Sequence, residues 1–159
     1  MGALRAAAKF QAHFSKGIRG IAANAFCFVS AYDDTANALP TSEGAIQLAM
    51  EELPITLHAA RVLVIGCGRL GKVLVQQLKG LGAHVSVAAR RFDQLAWAEV
   101  WGCGVEHSDQ LKGWLCGYDL IINTVPARVL GREELTDVKP GCLVIDLASK
   151  PGGAGFRVA

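Results

Sequence analysis

The sequence predicts an α/β fold built on a parallel sheet, and three observations lead there. Arg61-Val62-Leu63-Val64-Ile65 is a continuous, largely β-branched run of the kind that forms a strand buried on both faces. A glycine-rich turn, Gly66-Cys67-Gly68-Arg69-Leu70-Gly71, follows it directly. Beyond that turn, short apolar strand patterns alternate with helical ones. Such alternation implies right-handed crossovers that place helices on both faces of the sheet, giving three layers, α/β/α. With 159 residues, 52% of them hydrophobic, the chain is large enough for one domain with a sizeable core.

Each element has its own signal. Residues 1–38 carry no clear pattern and are expected to be a poorly defined segment, either a linker or the remnant of a lost domain. Up to residue 32 they hold Arg5, Lys9, Lys16 and Arg19 but no Asp or Glu. That composition superficially suits an organelle-targeting peptide but lacks the apolar stretch of a secretory signal. Residues 39–159 form the predicted domain. Pro40 reads as the residue before a helix, with Thr41 or Ser42 as N-cap and Glu43 in the first turn. Ala45, Ile46, Leu48, Ala49, Met50 and Leu53 give this helix its apolar face, and Pro54 ends it. After the glycine turn, Leu70, Val73, Leu74, Leu78 and Leu81 recur at helical spacing and Gly82 stops the helix. A second strand is expected at His84–Ala88 and a helix at Phe92–Trp101, with Gly102 and Gly104 as its stop. Val105–His107 is a third strand and Asp109–Leu115 a short helix. Asp119–Thr124 is a fourth strand and Glu133–Val138 a helical turn or two. Pro140-Gly141 turns the chain into a fifth strand, Leu143–Asp146. The doubly wound sheet looks incomplete at its C-terminal end, because a further helix and strand are expected where the sequence stops.

A G-x-G-x-x-G turn is weak evidence alone, but here it follows a buried strand and opens a helix, the setting of a Rossmann-type dinucleotide site. Gly66 allows the tight turn, Gly68 lets a diphosphate approach the backbone, and Gly71 lets the helix pack on the sheet. The backbone around Arg69 and Leu70 would offer N–H groups and the positive helix end to that diphosphate. A glycine turn with no ligand is the alternative. The end of the second strand selects the cofactor. NAD sites usually carry a carboxylate there for the ribose 2′-hydroxyl. This chain has Ala88-Ala89-Arg90-Arg91 instead, and guanidiniums suit a 2′-phosphate. NADP is therefore expected, with NAD as the other option and two solvated loop arginines as the simplest account.

Strand ends at this edge face the ligand crevice, so Thr124, Val125 and Pro126 are candidates to line the ribose and nicotinamide side. Ala148, Ser149 and Lys150 follow the fifth strand and fall near the nicotinamide by the same rule. Lys150 could bind a substrate carboxylate or move a proton, or be a surface lysine before the Pro151-Gly152-Gly153 turn. Asp146 reads as structural. His13, His58, His84 and His107 do not cluster in sequence, and no Ser-His-Asp or Cys-His arrangement stands out. Trp97, Trp101 and Trp114 are expected to lie on helices and pack on the outer layer of the sheet. The five cysteines, Cys27, Cys67, Cys103, Cys116 and Cys142, form no C-x-x-C pair, which argues for reduced, packed thiols in the cytoplasm and against a zinc site. A net charge of +2 without a basic stripe does not suit nucleic acid, and no apolar run approaches the roughly 18 residues a membrane helix needs.

Several stretches resemble the cofactor domain of the dipicolinate synthase A family. These are Leu39-Pro40-Thr41-Ser42-Glu43-Gly44-Ala45-Ile46-Gln47, Met50 through Thr56, the glycine loop, Ala88 through Arg91, Ile121 through Pro126, and Ile145 through Gly153. The resemblance implies an NADP-dependent oxidation of a dihydro- or hydroxytetrahydro-dipicolinate to the aromatic dicarboxylate during bacterial sporulation. It also implies a flavoprotein-like partner, dipicolinate synthase B. By resemblance, Thr41, Ser42 and Glu43 face the crevice near the substrate. Thr41 and Ser42, with Ser149, become candidate substrate contacts, and Glu43 joins Lys150 as a candidate catalytic side chain. Thr41 as a plain N-cap is the competing account. The family has a substantial N-terminal domain and continues past the Pro-Gly-Gly turn, so this chain is expected to be truncated at both ends. Three readings stay open: part of an oxidoreductase, a non-catalytic NAD(P)-binding module, or the cofactor domain of a 2-hydroxyacid- or shikimate-type dehydrogenase. Homo-oligomerisation is compatible with any of them.

Overall fold

The computed structural model of the chain describes residues 12–16, 25–29 and 38–148. Seven strands form one sheet: β1 (Ala12–Lys16), β2 (Ala25–Val29), β3 (Arg61–Ile65), β4 (His84–Ala89), β5 (Gly104–His107), β6 (Leu120–Asn123) and β7 (Leu143–Asp146). Their order across the sheet is β1-β2-β7-β6-β3-β4-β5. The strands from β5 to β7 are all parallel. The chain winds outward from β3 through β4 to β5, then crosses back over β3 to β6 and β7. The direction of winding therefore reverses between β3 and β6, which opens a crevice at the C-terminal ends of those two strands.

Alternate residues of each strand feed different layers. On one face Val62, Val64, Leu120, Ile122, Leu143 and Ile145 pack under α1 (Ala38–Glu52), α2 (Arg69–Gly80) and α3 (Phe92–Val100). On the other, Leu63, Ile65, Ile121 and Val144 pack under Leu111, Leu115, Leu130 and Leu135. The latter belong to a 3-10 turn at Leu115–Gly117, to α4 (Arg132–Thr136) and to the loops around them. β6 and β7 are buried at every position, as strands covered on both faces must be. This is the doubly wound, three-layer fold that the alternating pattern implies.

The structure departs from the sequence expectation in four places. Residues 1–38 are not wholly without structure: β2 pairs in parallel with β7, with Cys27 opposite Ile145, and β1 pairs antiparallel with β2. β2 thus extends the sheet beyond β7 with a strand from the N-terminal part of the sequence. Second, α1 begins at Ala38, so Thr41 and Ser42 are not N-caps and Glu43 is not in the first turn. Pro40 is tolerated inside that first turn because its N–H would have no intrahelical acceptor there. Third, Asp109–Leu115 is not a helix. Gly113 adopts φ +88°, and the N–H groups of Gly113 and Leu115 both donate to Asp137 Oδ2, at 2.9 and 3.0 Å, rather than to carbonyls of their own segment. Fourth, the tryptophans are not all packed: Trp97 and Trp114 are 58% and 56% exposed.

A candidate dinucleotide crevice at the strand ends

The crevice between the ends of β3 and β6 has a volume of about 700 Å³. Its floor is the glycine loop. Gly66 takes φ +99°, and its N–H donates to Ala88 O at 2.8 Å, which ties the loop to the end of β4. A side chain at Gly66 would collide with Thr124, and one at Gly71 would strike the Gly66 carbonyl, so helix and loop are locked together only because both are glycine. Gly68 differs: a Cβ there would meet no protein atom within 4 Å. The open space beside Gly68 belongs to the crevice, and a backbone bare at that point can be approached closely by a bulky group. Gly68 is also the N-cap of α2 and provides no capping side chain. The first hydrogen bond of the helix runs from Lys72 N–H to Gly68 O, so the N–H groups of the preceding turn precede the helical ladder and form an anion-binding end. These features fit a dinucleotide diphosphate.

The opposite wall comes from β6. Thr124 donates both its N–H and its Oγ1–H to Ile65 O, each at 2.8 Å, and so holds the loop after β6 against the loop after β3. Behind it lies a buried polar pair. Asn123 and Asp146 are cross-strand neighbours, and Asn123 Nδ2 donates to Asp146 Oδ1 and to Val125 O, at 3.0 Å each. Val125 N–H donates to Asn123 Oδ1 at 3.2 Å, and Ala148 N–H donates to Asp146 Oδ1 at 3.0 Å. With both side chains buried and their polar atoms engaged, the pair fixes the course of the chain as it leaves β6 and β7. Asp146 is structural, in keeping with its sequence position.

The end of β4 supplies the charge. Arg90 Nε lies 3.3 Å from Asp109 Oδ1, and Arg91 grips Asp93 with Nε–Oδ1 at 3.0 Å and Nη2–Oδ2 at 2.7 Å. The Arg91 hydrogen bond holds the Asp93 carboxyl below the usual carboxylate range. Both guanidiniums are largely exposed, and both residues line the crevice. Exposed ion pairs add little to stability, so either arginine can exchange its carboxylate for a ligand phosphate.

The structure brings together Gly66, Gly68, Arg69, Leu70, Gly71, Ala89, Arg90, Arg91, Thr124, Val125, Pro126 and Thr41 around this one crevice. Other candidates fall elsewhere. Ala148 sits one residue beyond the lining, which at this point is Leu147. Ser42 is fully buried, with its hydroxyl donating to Leu39 O at 2.8 Å, and offers nothing to a substrate. Glu43 borders a separate hollow between α1 and α2, away from the crevice. Ser149 and Lys150 lie outside the described residues. The sequence reading missed Ala38, Gln94, Ser108 and Val129, which also line the crevice. Ser108 follows β5 as Arg90 follows β4, so the strand-end rule applied to the third strand would have found it. Among the described residues no group of three or more His, Cys, Asp or Glu side chains forms a metal site.

The chain is similar to known proteins. Dipicolinate synthase A of Bacillus subtilis is 40% identical over 129 residues, which is 80% of this chain and 43% of that protein. The crystal structure of dipicolinate synthase A from Bacillus halodurans superposes with a TM-score of 0.73 at 40% identity, covering 76% of this chain and 41% of that one. Alanine dehydrogenase of Halomonas elongata is 29% identical over 129 residues, 74% of this chain and 34% of that protein. The chain thus spans less than half the length of the relatives it matches. Residues 31–156, the whole crevice included, match the model for the C-terminal domain of alanine dehydrogenase/PNT, and the chain belongs to that family of nicotinamide-dinucleotide-binding dehydrogenase domains.

Proposed function

We propose that this chain is the NADP-binding part of an oxidoreductase of the dipicolinate synthase A kind. The observation that carries the reading is the crevice itself. An uncapped helix N-terminus beside a bare Gly68 suits a diphosphate, and two guanidiniums at the end of β4 suit a ribose 2′-phosphate. The similarity to dipicolinate synthase A supports the rest.

The reaction read from that similarity is loss of a hydride and a proton from a dihydrodipicolinate ring, after loss of water where the substrate is the hydroxytetrahydro compound, giving the aromatic pyridine dicarboxylate. A bound nicotinamide would supply the hydride acceptor, and gain of aromaticity would favour the step. What the chain's own residues do is position. The glycine loop anchors the diphosphate, Arg90 and Arg91 hold the far ribose, and the Thr124–Val125–Pro126 wall shapes the nicotinamide side. Thr41, which lines the crevice from α1, is the side chain we assign to meet a substrate. A flavoprotein-like partner, a role in sporulation and a cytoplasmic location belong to the same reading. No helix among the described residues is long and apolar enough to cross a membrane.

The test is NADPH formation from a dihydrodipicolinate-type substrate and NADP⁺, with and without that partner. Turnover in either condition supports the oxidoreductase reading. Dinucleotide binding without turnover in both conditions replaces it with a non-catalytic module.

A further inference from the structure

The outer face of α3 is apolar and uncovered among the described residues. Phe92, Ala96 and Val100 follow one another at four-residue steps and form a single ridge, with Trp97 beside it. Phe92 is 79% exposed, Val100 73% and Trp97 58%, and Ala96 is exposed between them. The opposite face of the same helix already has its contacts: Ala98 is fully buried in the core, and Leu95 and the adjoining Trp101 pack against the same cluster. A helix that is apolar on both faces is normally buried on both. Trp97 stacks on Trp101, with ring centroids 6.3 Å apart, and Phe92 lies 6.0 Å from the His107 ring, so neighbouring rings brace both exposed aromatics. Asp93, the acidic side chain within this face, is paired with Arg91. At about 150–250 Å² for each aromatic side chain, Phe92 and Trp97 alone leave roughly 250 Å² uncovered, a large share of the biggest apolar patch that a monomer ordinarily shows.

We propose that this face docks a second copy of the chain, α3 against α3, antiparallel about a two-fold axis that passes beside Ala96. Phe92 of one copy then meets the partner's Val100, large against small, and Ala96 at the crossing lets the two helices approach closely. The helix ends complement each other as well. Arg91 caps the start of α3, where the helix end is positive, and Glu99 sits near its close, where no basic side chain offsets the negative end. Antiparallel pairing sets each positive end beside the partner's negative one. Other parts of this chain are badly placed to cover the face. α3 packs over β4 and β5 at one end of the sheet, whereas the residues outside the described ones join the fold at β1, β2, α1 and β7, toward the other end. The two rings supply about a third of the roughly 800 Å² per partner that a stable interface buries. With Ala96, Val100 and their rim added, the pairing fits a weak, reversible dimer.

Pairing of this kind needs no bound dinucleotide, so the ligand-free chain tests it independently of the crevice. Sedimentation velocity of the full chain at concentrations up to about 200 µM should show a monomer–dimer equilibrium with a Kd of about 10–100 µM, the strength of an interface below standard size. Ala96→Lys sets two like charges across the two-fold axis and should weaken the dimer at least about 30-fold. Val100→Lys removes the group that meets Phe92 and should weaken it at least about 5-fold. Both positions are exposed in the monomer and lysine is a good helix former, so both variants keep the far-UV circular dichroism of the parent. If one variant fails to fold, the other gives the reading. A parent chain that stays monomeric at about 200 µM overturns the proposal and leaves the face to a different protein. A dimer that the lysine variants form as readily as the parent overturns it too, because another surface then carries the pairing.

Discussion

Gly68 and Gly71 lie three residues apart and are glycine for opposite reasons. A methyl at position 71 meets the backbone carbonyl of Gly66, so Gly71→Ala must push α2 off its loop. Overpacking of that kind costs about 1–3 kcal/mol, and a urea melt of the variant reads it directly. A methyl at position 68 meets no protein atom. Gly68→Ala is therefore expected to fold with less than about 1 kcal/mol of change and yet to bind dinucleotide at least about 10-fold more weakly. Retained affinity would mean that no ligand backbone approaches there. Arg90 makes the complementary case for selectivity. Arg90→Asp replaces a phosphate partner with a carboxylate that repels phosphate and accepts from a ribose hydroxyl. We expect NADPH affinity to fall about 10-fold or more while NADH affinity holds or rises, read from paired titrations. Unchanged relative affinity contradicts a role for Arg90 at the 2′ position.

Among the elements, the strand ends opposite the crevice are stitched by one carboxylate. Asp119 Oδ2 accepts from Arg61 N–H at 2.8 Å, and Asp119 Oδ1 pairs with Lys139 Nζ at 2.5 Å, joining the starts of β3 and β6 to the loop that leads into β7. Burial pushes the Asp119 carboxyl up, but the hydrogen bonds from Lys139 and Arg61 and their charges outweigh it, and the net direction is down. A carboxyl lowered in the folded state stabilises fully above its ordinary value, about 3.9, and the contribution is lost as the pH falls through the lowered value. Asp119→Asn should therefore be less stable than the parent at neutral pH, and the gap should close below about pH 4. A gap independent of pH would place the effect in packing rather than charge.

Elements also show where the sequence could be read and where it could not. β3, the glycine turn and α2 were legible because each announces itself locally, by a run of buried residues, a fixed glycine spacing and a helical period. The segment Asp109–Leu115 misled because its apolar Leu111 and Leu115 have helical spacing. What decides its path is Asp137, 22 residues beyond Leu115 in the chain, capturing two of its N–H groups. The start of α1 misled for a different reason: Pro40, Thr41 and Ser42 are all good residues for a helix start, and only the backbone shows that the start is already behind them. β2 was illegible because its partner is β7, more than a hundred residues away, and nothing local in Ala25–Val29 names that partner. In the site, every residue of the glycine loop was legible from spacing, whereas Ser108 and Gln94 are joined to it only by the winding of the sheet.

At the scale of the whole molecule, the crevice lies between β3 and β6, near the middle of the sheet, while β1 and β2 close one edge. Function and edge protection are therefore separable. Removing residues 1–37 strips β1 and β2 and turns β7 into an edge strand. A loss of about 2 kcal/mol, roughly 4–8 °C in Tm for a domain of this size, is expected, with NADPH binding preserved. Loss of binding in a folded truncation would show that the first strands shape the site. The cysteines report on the same architecture. Burial drives the Cys142 thiol up to about 12, and Cys67 and Cys103 are also raised by burial, while Cys116 is exposed. A thiol-labelling reagent at pH 8 should modify Cys116 in the native protein well before Cys67, Cys103 or Cys142.

We propose that the crevice at the β3–β6 reversal holds a nicotinamide dinucleotide and prefers the one with a 2′-phosphate. Titration of the chain with NADPH and with NADH, followed by nicotinamide fluorescence, tests it most directly. Saturable binding at one site per chain is expected, with NADPH about 10-fold the tighter. Absence of binding by either dinucleotide at millimolar concentration, or tighter binding of NADH, would contradict it.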